Sequence, residues 1–446
     1  MNRLRERPYR FLLPAVVVAI RLAAYSQTVQ PVTHVTLTEA IKAAQANEPT
    51  FTAALAAQRT TRIDTYLAKV ALLPNVKYHN QALYTQPNGE TTVTAQGSGE
   101  PGFVFIANNA VREYASQGTV DETIGLRQVA DVQVANAVAA RAAAELEVAR
   151  RGLVTTVVSL YYSVTLTQRK QQLVAQALTE AQTFTGLTTK REAAREVAHA
   201  DVLKAQLQQQ QRQRDLSDAV LATDKARLEL GVLLFQDPRT PYVTDVPSGP
   251  QPLPARDEVN RLAGERNPEI RSALADVSAA TAGVSAAKAA YLPDLALNFT
   301  YGLDAPQFAK RGPGNARNLG YSFSGTLDIP VFDWFATEKR IKQSQIQRDA
   351  AKVTLTAAQR RMIATIEESY AEASVAREQL TLLDTSVTTA EESLRLTTLR
   401  YGAGEATALE VVDAQNTLLS AQTARADGTV RYGTAATTLQ VLTGTL

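Results

Sequence analysis

The sequence predicts an internally duplicated α+β membrane protein, each half running helix, strand, strand, long helices. Three observations predict it. Leu295, Leu297, Phe299, Tyr301 and Leu303 alternate with Ala296, Asn298, Thr300 and Gly302, and Leu319, Tyr321, Phe323, Leu327 and Ile329 alternate with polar or small residues in the same way. Each run is about ten residues, the length a tilted strand needs to cross a bilayer core. A fixed spacing then relates the halves. Pro49 and Pro268, and Pro74 and Pro293, are 219 residues apart. Val157 and Ile366, Tyr161 and Tyr370, Asp201 and Glu410, and Ala205 and Ala414 are 209 apart, which is the signature of a duplication. The third observation is the pair of very long helical stretches that follow the strands.

The amino terminus comes first in the chain. Arg3, Arg5, Arg7 and Arg10 precede an apolar run from Phe11 to Ile20, followed by Ala23, Ala24 and Ser26. Residues 1–26 therefore read as a secretory signal peptide; the run is shorter than the ~20 residues of a membrane span. Removing it takes away five Arg and one Glu and changes the net charge from +2 to −2. A balance so near zero gives nucleic acid no purchase. The absence of cysteine excludes disulfides, thiolate metal sites, thiol nucleophiles and a lipid-modified amino-terminal Cys.

Residues 27–230 are the first expected repeat. Thr36-Leu37-Thr38-Glu39 forms a capping box for a helix running to Leu73, interrupted at Asn47-Glu48-Pro49. Asn75 to Tyr84 reads as a strand, and residues 86–118, rich in Gly, Thr, Ser and Asn, as a long exposed loop. Val120, Ile124 and Leu126 mark a second strand, weakened by Glu122 on the same face. Helices are expected from about Val129 to Leu187, with a heptad-like stripe through Leu146, Leu153, Val157, Leu160 and Val164, and from about Val197 to Leu230. Residues 231–260 hold a Pro-rich connector, expected to be irregular and not part of a core. Residues 261–446 repeat the pattern, with a helix from Asn267 to Ala289, the two strands, and a rod running from about Ile341 to Leu399. Rods of this length with narrow apolar stripes must pack side by side.

Four membrane strands cannot stand alone, because an open sheet leaves backbone groups unpaired in lipid. Four are also too few to close a barrel. Other copies must complete it, eight strands in a dimer or twelve in a trimer, and periodicity does not choose between them.

The duplicated set resembles the outer-membrane efflux, or TolC-like, family. The residues that carry the resemblance are Asn267-Pro268-Glu269-Ile270, the pairs Leu73-Pro74 and Leu292-Pro293, Ile329-Pro330-Val331-Phe332-Asp333, and Arg400-Tyr401 with Gly404 leading to Val411-Val412-Asp413-Ala414. The resemblance implies a homotrimer with a twelve-stranded outer-membrane barrel, continued by a long periplasmic α-helical barrel and an iris-like aperture. It implies an exit duct for efflux or type I secretion, docked to a periplasmic adaptor and an inner-membrane transporter, with the connector in an equatorial belt. On this reading Leu295, Leu297, Phe299, Tyr301, Leu319, Tyr321 and Phe323 face outer-membrane lipid. Arg195, Glu196, Gly404 and Glu405 form the adaptor-docking tips of two helix hairpins, and Glu410, Asp413 and Asp201 line the periplasmic aperture.

Two departures stand out. The family's Gly at the first tip is Arg195 here, so that tip is expected to take a different shape. The basic residue expected shortly after the second Gly is Ala406, so a gating latch to Asp201 is absent in that form. Glu410 and Asp413 also have a plainer reading, as surface acids that stabilise a helix start.

No enzyme chemistry is expected. His34, His79 and His199 lack metal-ligand spacing, Gly402-Ala403-Gly404 lacks the parts of a phosphate loop, and no cofactor or metal is expected. Phe332, Trp334 and Phe335 belong either to an interfacial aromatic belt or to packing at the junction of barrel and helices. The competing function is a structural coiled-coil protein of the envelope without a pore.

Overall fold

The computed structural model describes residues 33–84, 112–245, 252–305, 307–315 and 317–445. The expected signal peptide and most of the expected loop after Tyr84 lie outside these residues. The first half runs β1 (Thr33–Val35), α1 (Leu37–Asn47), α2 (Pro49–Val70), β2 (Asn75–Tyr84), β3 (Arg112–Ile124), α3 (Leu126–Ala193) and α4 (His199–Leu234). After β4 (Tyr242–Thr244) the second half runs α5 (Arg256–Arg266), α6 (Pro268–Ala289), β5 (Asp294–Ala305), β6 (Leu319–Asp328), α7 (Ala336–Gly402) and α8 (Ala408–Thr443). A shift of 219 carries α1, α2 and β2 onto α5, α6 and the start of β5; a shift of 209 carries α4 onto α8.

Local chemistry sets the boundaries. The Thr36 hydroxyl accepts the Glu39 N–H at 3.3 Å while Glu39 accepts the Thr36 N–H at 2.9 Å, closing the expected capping box. Pro49 and Pro268 occupy first helical turns, where the missing N–H has no partner to lose. The Asn267 side chain accepts from the Ile270 N–H at 2.9 Å, capping α6 directly after α5.

The strands form one antiparallel sheet in the order β2-β3-β5-β6. Phe299 pairs with Phe323, Tyr301 with Tyr321, and Leu303 with Leu319. Because directly paired residues share a face, the expected outward residues do lie together, and Phe299, Tyr301, Leu319, Tyr321 and Phe323 are all exposed. The opposite face is polar. There Lys77 pairs with Asp121 at 3.8 Å, Asp121 accepts from the Asn298 amide, and Gln117 donates to Asp304 at 3.1 Å. Strands β2 and β6 are the free edges. Among the described residues no helix is long and apolar enough to cross a membrane.

Several boundaries differ from expectation. Residues 112–118 belong to β3, not to a loop, and Leu126 opens α3 instead of extending the strand. Leu126 keeps the strand's alternation, and the single residue between the two elements, Gly125, is itself extended, so the alternation does not mark the boundary. Helix α4 continues to Leu234 and α5 begins at Arg256, so helix occupies both ends of the 231–260 segment.

The connector also contributes to a core, against expectation. β4 pairs in parallel with β1, matching Val35 to Thr244, and Tyr242 is buried with Leu153, Val157, Tyr161 and Leu230. The Tyr161 hydroxyl is shared between the Val35 and Asp245 carbonyls, 2.9 Å from each. Burial pushes the Tyr161 phenol up to about 12. In the second half Val259, Ala263, Ile366, Ala373 and Leu439 form a corresponding cluster, with no connector strand against it among the described residues.

Candidate aperture and docking tips

The two long hairpins, α3–α4 and α7–α8, turn at the same end of the molecule. Phe184, Ala205, Tyr401, Ala408, Val411 and Val412 bury one another there and hold the hairpins together. At the first tip the Arg195 N–H reaches the Glu192 carbonyl at 2.7 Å, and the Glu196 N–H the Arg191 carbonyl at 2.8 Å. At the second the Gly404 N–H reaches the Tyr401 carbonyl at 3.1 Å, and the Glu405 N–H the Arg400 carbonyl at 2.8 Å. Both are the helix end in which one left-handed residue lets the chain bond back five positions. Arg195 takes φ 62° and Gly404 φ 80°.

The expectation that Arg195 reshapes the first tip is therefore overturned. The backbone turn is the same, and the Arg carries the strain that Gly escapes, about 1–2 kcal/mol. Helix α3 continues to Ala193 as α7 continues to Gly402, and the hydrogen bonds closing each helix impose the conformation whatever the side chain.

Glu410 is the third residue of α8 and completes a second capping box. Its carboxylate accepts from the Thr407 N–H at 3.0 Å, and its own N–H donates to the Thr407 hydroxyl at 3.3 Å. The Thr407 backbone and hydroxyl hydrogen bonds, with a contribution from Arg400, hold the Glu410 carboxyl below its ordinary value. Arg400 lies 3.6 Å from its second oxygen. Asp413 is exposed one turn further on and has no ion-pair partner among the described residues. Asp201 occupies the place in α4 that Glu410 occupies in α8, but its capping position holds Ala198, which offers no side-chain bond. The structure thus brings the three acids to the amino-terminal ends of two equivalent helices, Asp201 and Glu410 in the first turns and Asp413 one turn later. Of the three, only Glu410 is tied down by a cap.

Sequence reasoning missed Arg191. Its guanidinium lies over the Tyr401 ring, donates to the Tyr401 carbonyl, and pairs with Glu196 at 2.9 Å. Tyr401 is buried against Phe184, with ring centroids 5.2 Å apart, and its hydroxyl lies 3.4 Å from the Thr188 hydroxyl. The available signal was positional: Arg191 falls one helical turn before the tip residue.

At the other end, Phe332 contacts both Trp334 and Phe335, with centroids 5.1 and 5.9 Å away. All three remain largely exposed, so packing within this chain does not account for them.

Residues 259–445 match the family described as outer membrane efflux protein. The chain carries an outer membrane efflux protein domain and has the TolC-like channel fold. It is 27% identical over 323 residues to Protein CyaE of Bordetella pertussis, spanning 72% of this chain and 66% of that one. It is 26% identical over 408 residues to the pyoverdine export outer membrane protein OpmQ of Pseudomonas putida, covering 86% and 81%. The cobalt-zinc-cadmium resistance protein CzcC of Cupriavidus metallidurans is 23% identical over 320 residues, covering 70% and 72%. Among solved structures, VceC of Vibrio cholerae superposes with a TM-score of 0.77 at 19% identity, over 92% of this chain and 96% of that one. The CmeC outer membrane channel of Campylobacter jejuni gives 0.77 at 15% identity, over 92% and 85%. By this domain and these relatives the chain is placed among proteins of the outer membrane that extend into the periplasm.

Proposed function

We propose that three copies of this chain form a passive exit duct that docks, through its hairpin tips, onto a periplasmic adaptor and an inner-membrane pump. The observation that carries the reading is the four-stranded sheet. It has an apolar outer face, a polar inner face and two unpaired edges, and lipid tolerates it only when other copies close it. The rods continue the duct. Helix α3 has 68 residues, about 100 Å at 1.5 Å per residue. Arg195, Glu196, Gly404 and Glu405 present the exposed tips to the adaptor, and Glu410, Asp413 and Asp201 of three copies ring the aperture. The relatives' names point to different cargoes, which suits a duct whose pump does the selecting.

The test is twofold. Purified protein should be a trimer by light scattering in detergent and should conduct in planar bilayers. A photocrosslinker at Glu405 should capture an adaptor in intact cells. A monomeric mass with the sheet intact overturns the shared barrel; a conducting trimer with no captured adaptor overturns the docking.

A further inference from the structure

Strand β5 follows α6 and β6 leads to α7, so the chain between β5 and β6 lies at the end of the sheet away from the helices. It carries Lys310, Arg311 and Arg317, all exposed. The turn is held by its own hydrogen bonds. The Asn318 amide donates to the Ala309 carbonyl at 2.8 Å, and the Asn318 N–H donates to the Lys310 carbonyl at 3.1 Å. Arg311 and Arg317 bridge directly opposite each other. Opposite residues share a face with Cβ atoms about 5 Å apart, and like charges placed so repel. Arg317 stands two residues before Leu319, so the alternation of β6 puts the pair on the apolar outer face.

No carboxylate offsets this repulsion. Arg311 Nη1 donates to Asn315 Oδ1 at 2.7 Å, but that amide is neutral. Asp304 lies on the opposite face, where it accepts from Gln117, and Glu113 lies on that face too. No acid among the described residues pairs with Lys310, Arg311 or Arg317. A further cation comes from β3. Arg112 pairs with Tyr84, and its guanidinium carbon lies 6.0 Å from the Tyr84 ring centroid. Tyr114 pairs with Ala305 and Leu303 with Leu319, so Arg112 shares the outer face and stands one step of the alternation beyond Arg317. Two strand spacings, about 10 Å, separate them across the sheet.

Depth agrees with charge. Below the cations the outer face carries Tyr301, Leu319, Tyr321 and Phe323, all exposed. From Phe323 to Arg317 the strand covers about 20 Å, or about 14 Å of depth at a 45° tilt. That is about half of a ~30 Å hydrocarbon core, the distance from midplane to headgroups. We infer that Arg112, Lys310, Arg311 and Arg317 bind the phosphate groups of an outer-leaflet lipid headgroup. The planar guanidinium fork matches a phosphate, and one phosphate between Arg311 and Arg317 replaces their repulsion with charge-assisted hydrogen bonds. The spacing to Arg112 fits a headgroup with two phosphates. This rests on the proposed barrel and adds a lipid site to its outer rim.

The probe is lipid A, a glycolipid carrying two phosphates, added to the purified full chain in nonionic detergent. Native mass spectrometry counts the lipid retained. The parent should retain lipid A about tenfold better than phosphatidylcholine, and inorganic pyrophosphate should not displace it. Lys310→Gln, Arg311→Gln and Arg317→Gln together should lose that preference, with the sheet intact by circular dichroism. Arg311→Lys with Arg317→Lys keeps the charge and should retain most of it. Lys204→Gln, Arg214→Gln and Lys225→Gln, on exposed positions of α4, should bind as the parent does. Parent-like binding by the first Gln variant, or an equal loss in the α4 variant, overturns the site. Displacement by pyrophosphate makes the occupant a soluble phosphate and overturns the lipid assignment. Light scattering and bilayer conductance on the same preparations separate the two ideas. Any of these results from a conducting trimer overturns the lipid site alone, whereas a non-conducting monomer overturns the barrel beneath it.

Discussion

The Arg191 guanidinium stacks on the Tyr401 ring, 5.0 Å from its centroid, and so fastens the first hairpin to the last turn of α7. The contact combines a cation–π interaction with a charged hydrogen bond to the Tyr401 carbonyl. Arg191→Ala should loosen the α7–α8 tip by about 1–3 kcal/mol. Faster amide exchange at residues 402–406, with the sheet unchanged, is the expected reading. Tyr401→Phe should do much less, because its hydroxyl makes a long bond to Thr188.

Arg195 and Gly404 share one backbone conformation, so their substitutions should act with opposite sign. Arg195→Gly should stabilise the first hairpin by about 1 kcal/mol, and Gly404→Ala should destabilise the second by a similar amount. A methyl group at 404 meets no atom within 4 Å, so strain alone is being measured. Thermal unfolding followed by helix content checks both. Equal effects of the same sign would mean that the tips are not equivalent.

The two faces of the sheet should differ sharply in tolerance. Phe299→Arg or Phe323→Arg should each cost about 2–4 kcal/mol if placed near the bilayer midplane, while Ser322→Arg on the polar face should cost far less. Refolding into lipid vesicles along a denaturant series measures the difference.

Glu410 has a carboxyl held below its ordinary value of 4.5 by Thr407 and Arg400. Its contribution to stability is thus fully present above pH 4.5 and is lost as the pH falls through the lower, folded value. Amide exchange in the first turn of α8 should accelerate in that acid window in the parent. Glu410→Gln keeps a capping acceptor and should flatten the profile.

The aperture proposal makes a separate demand. Rings of carboxylates favour cations and bind multivalent ones tightly. Replacing Glu410 and Asp413 together with Ala should weaken cation selectivity and relieve block by trivalent cations from the periplasmic side, read as single-channel conductance. Unchanged block would leave Glu410 as a cap and nothing more.

Much of the fold was written in local patterns. Strand β2 begins at Asn75 and ends at Tyr84 as the alternation says, and α6 ends at Ala289, where helical spacing stops. The capping box at Thr36 was readable because all its parts lie within four residues. What escaped depends on distant partners. Tyr242 sits among prolines and becomes a core strand only because β1, some two hundred residues earlier, offers it an edge. The Arg195 turn escaped because a left-handed Arg is unfavourable by itself and is imposed by two long helices. The stacking of Arg191 on Tyr401 joins residues from opposite halves, and no periodicity announces it. Glu410 was read with two possible roles, and its cap is the part that local spacing could supply.

The sheet order carries a consequence for how the chain matures. β3 and β5 are adjacent, yet Ile124 and Leu295 are separated along the chain by α3, α4, α5 and α6. Helices form from local contacts within microseconds, whereas pairing across so long a segment is entropically slow. Rods therefore precede barrel. On the proposed trimer, a chain with finished helices would keep unpaired, aggregation-prone strands until lipid and sister chains arrive, which makes closing the barrel the last step of folding.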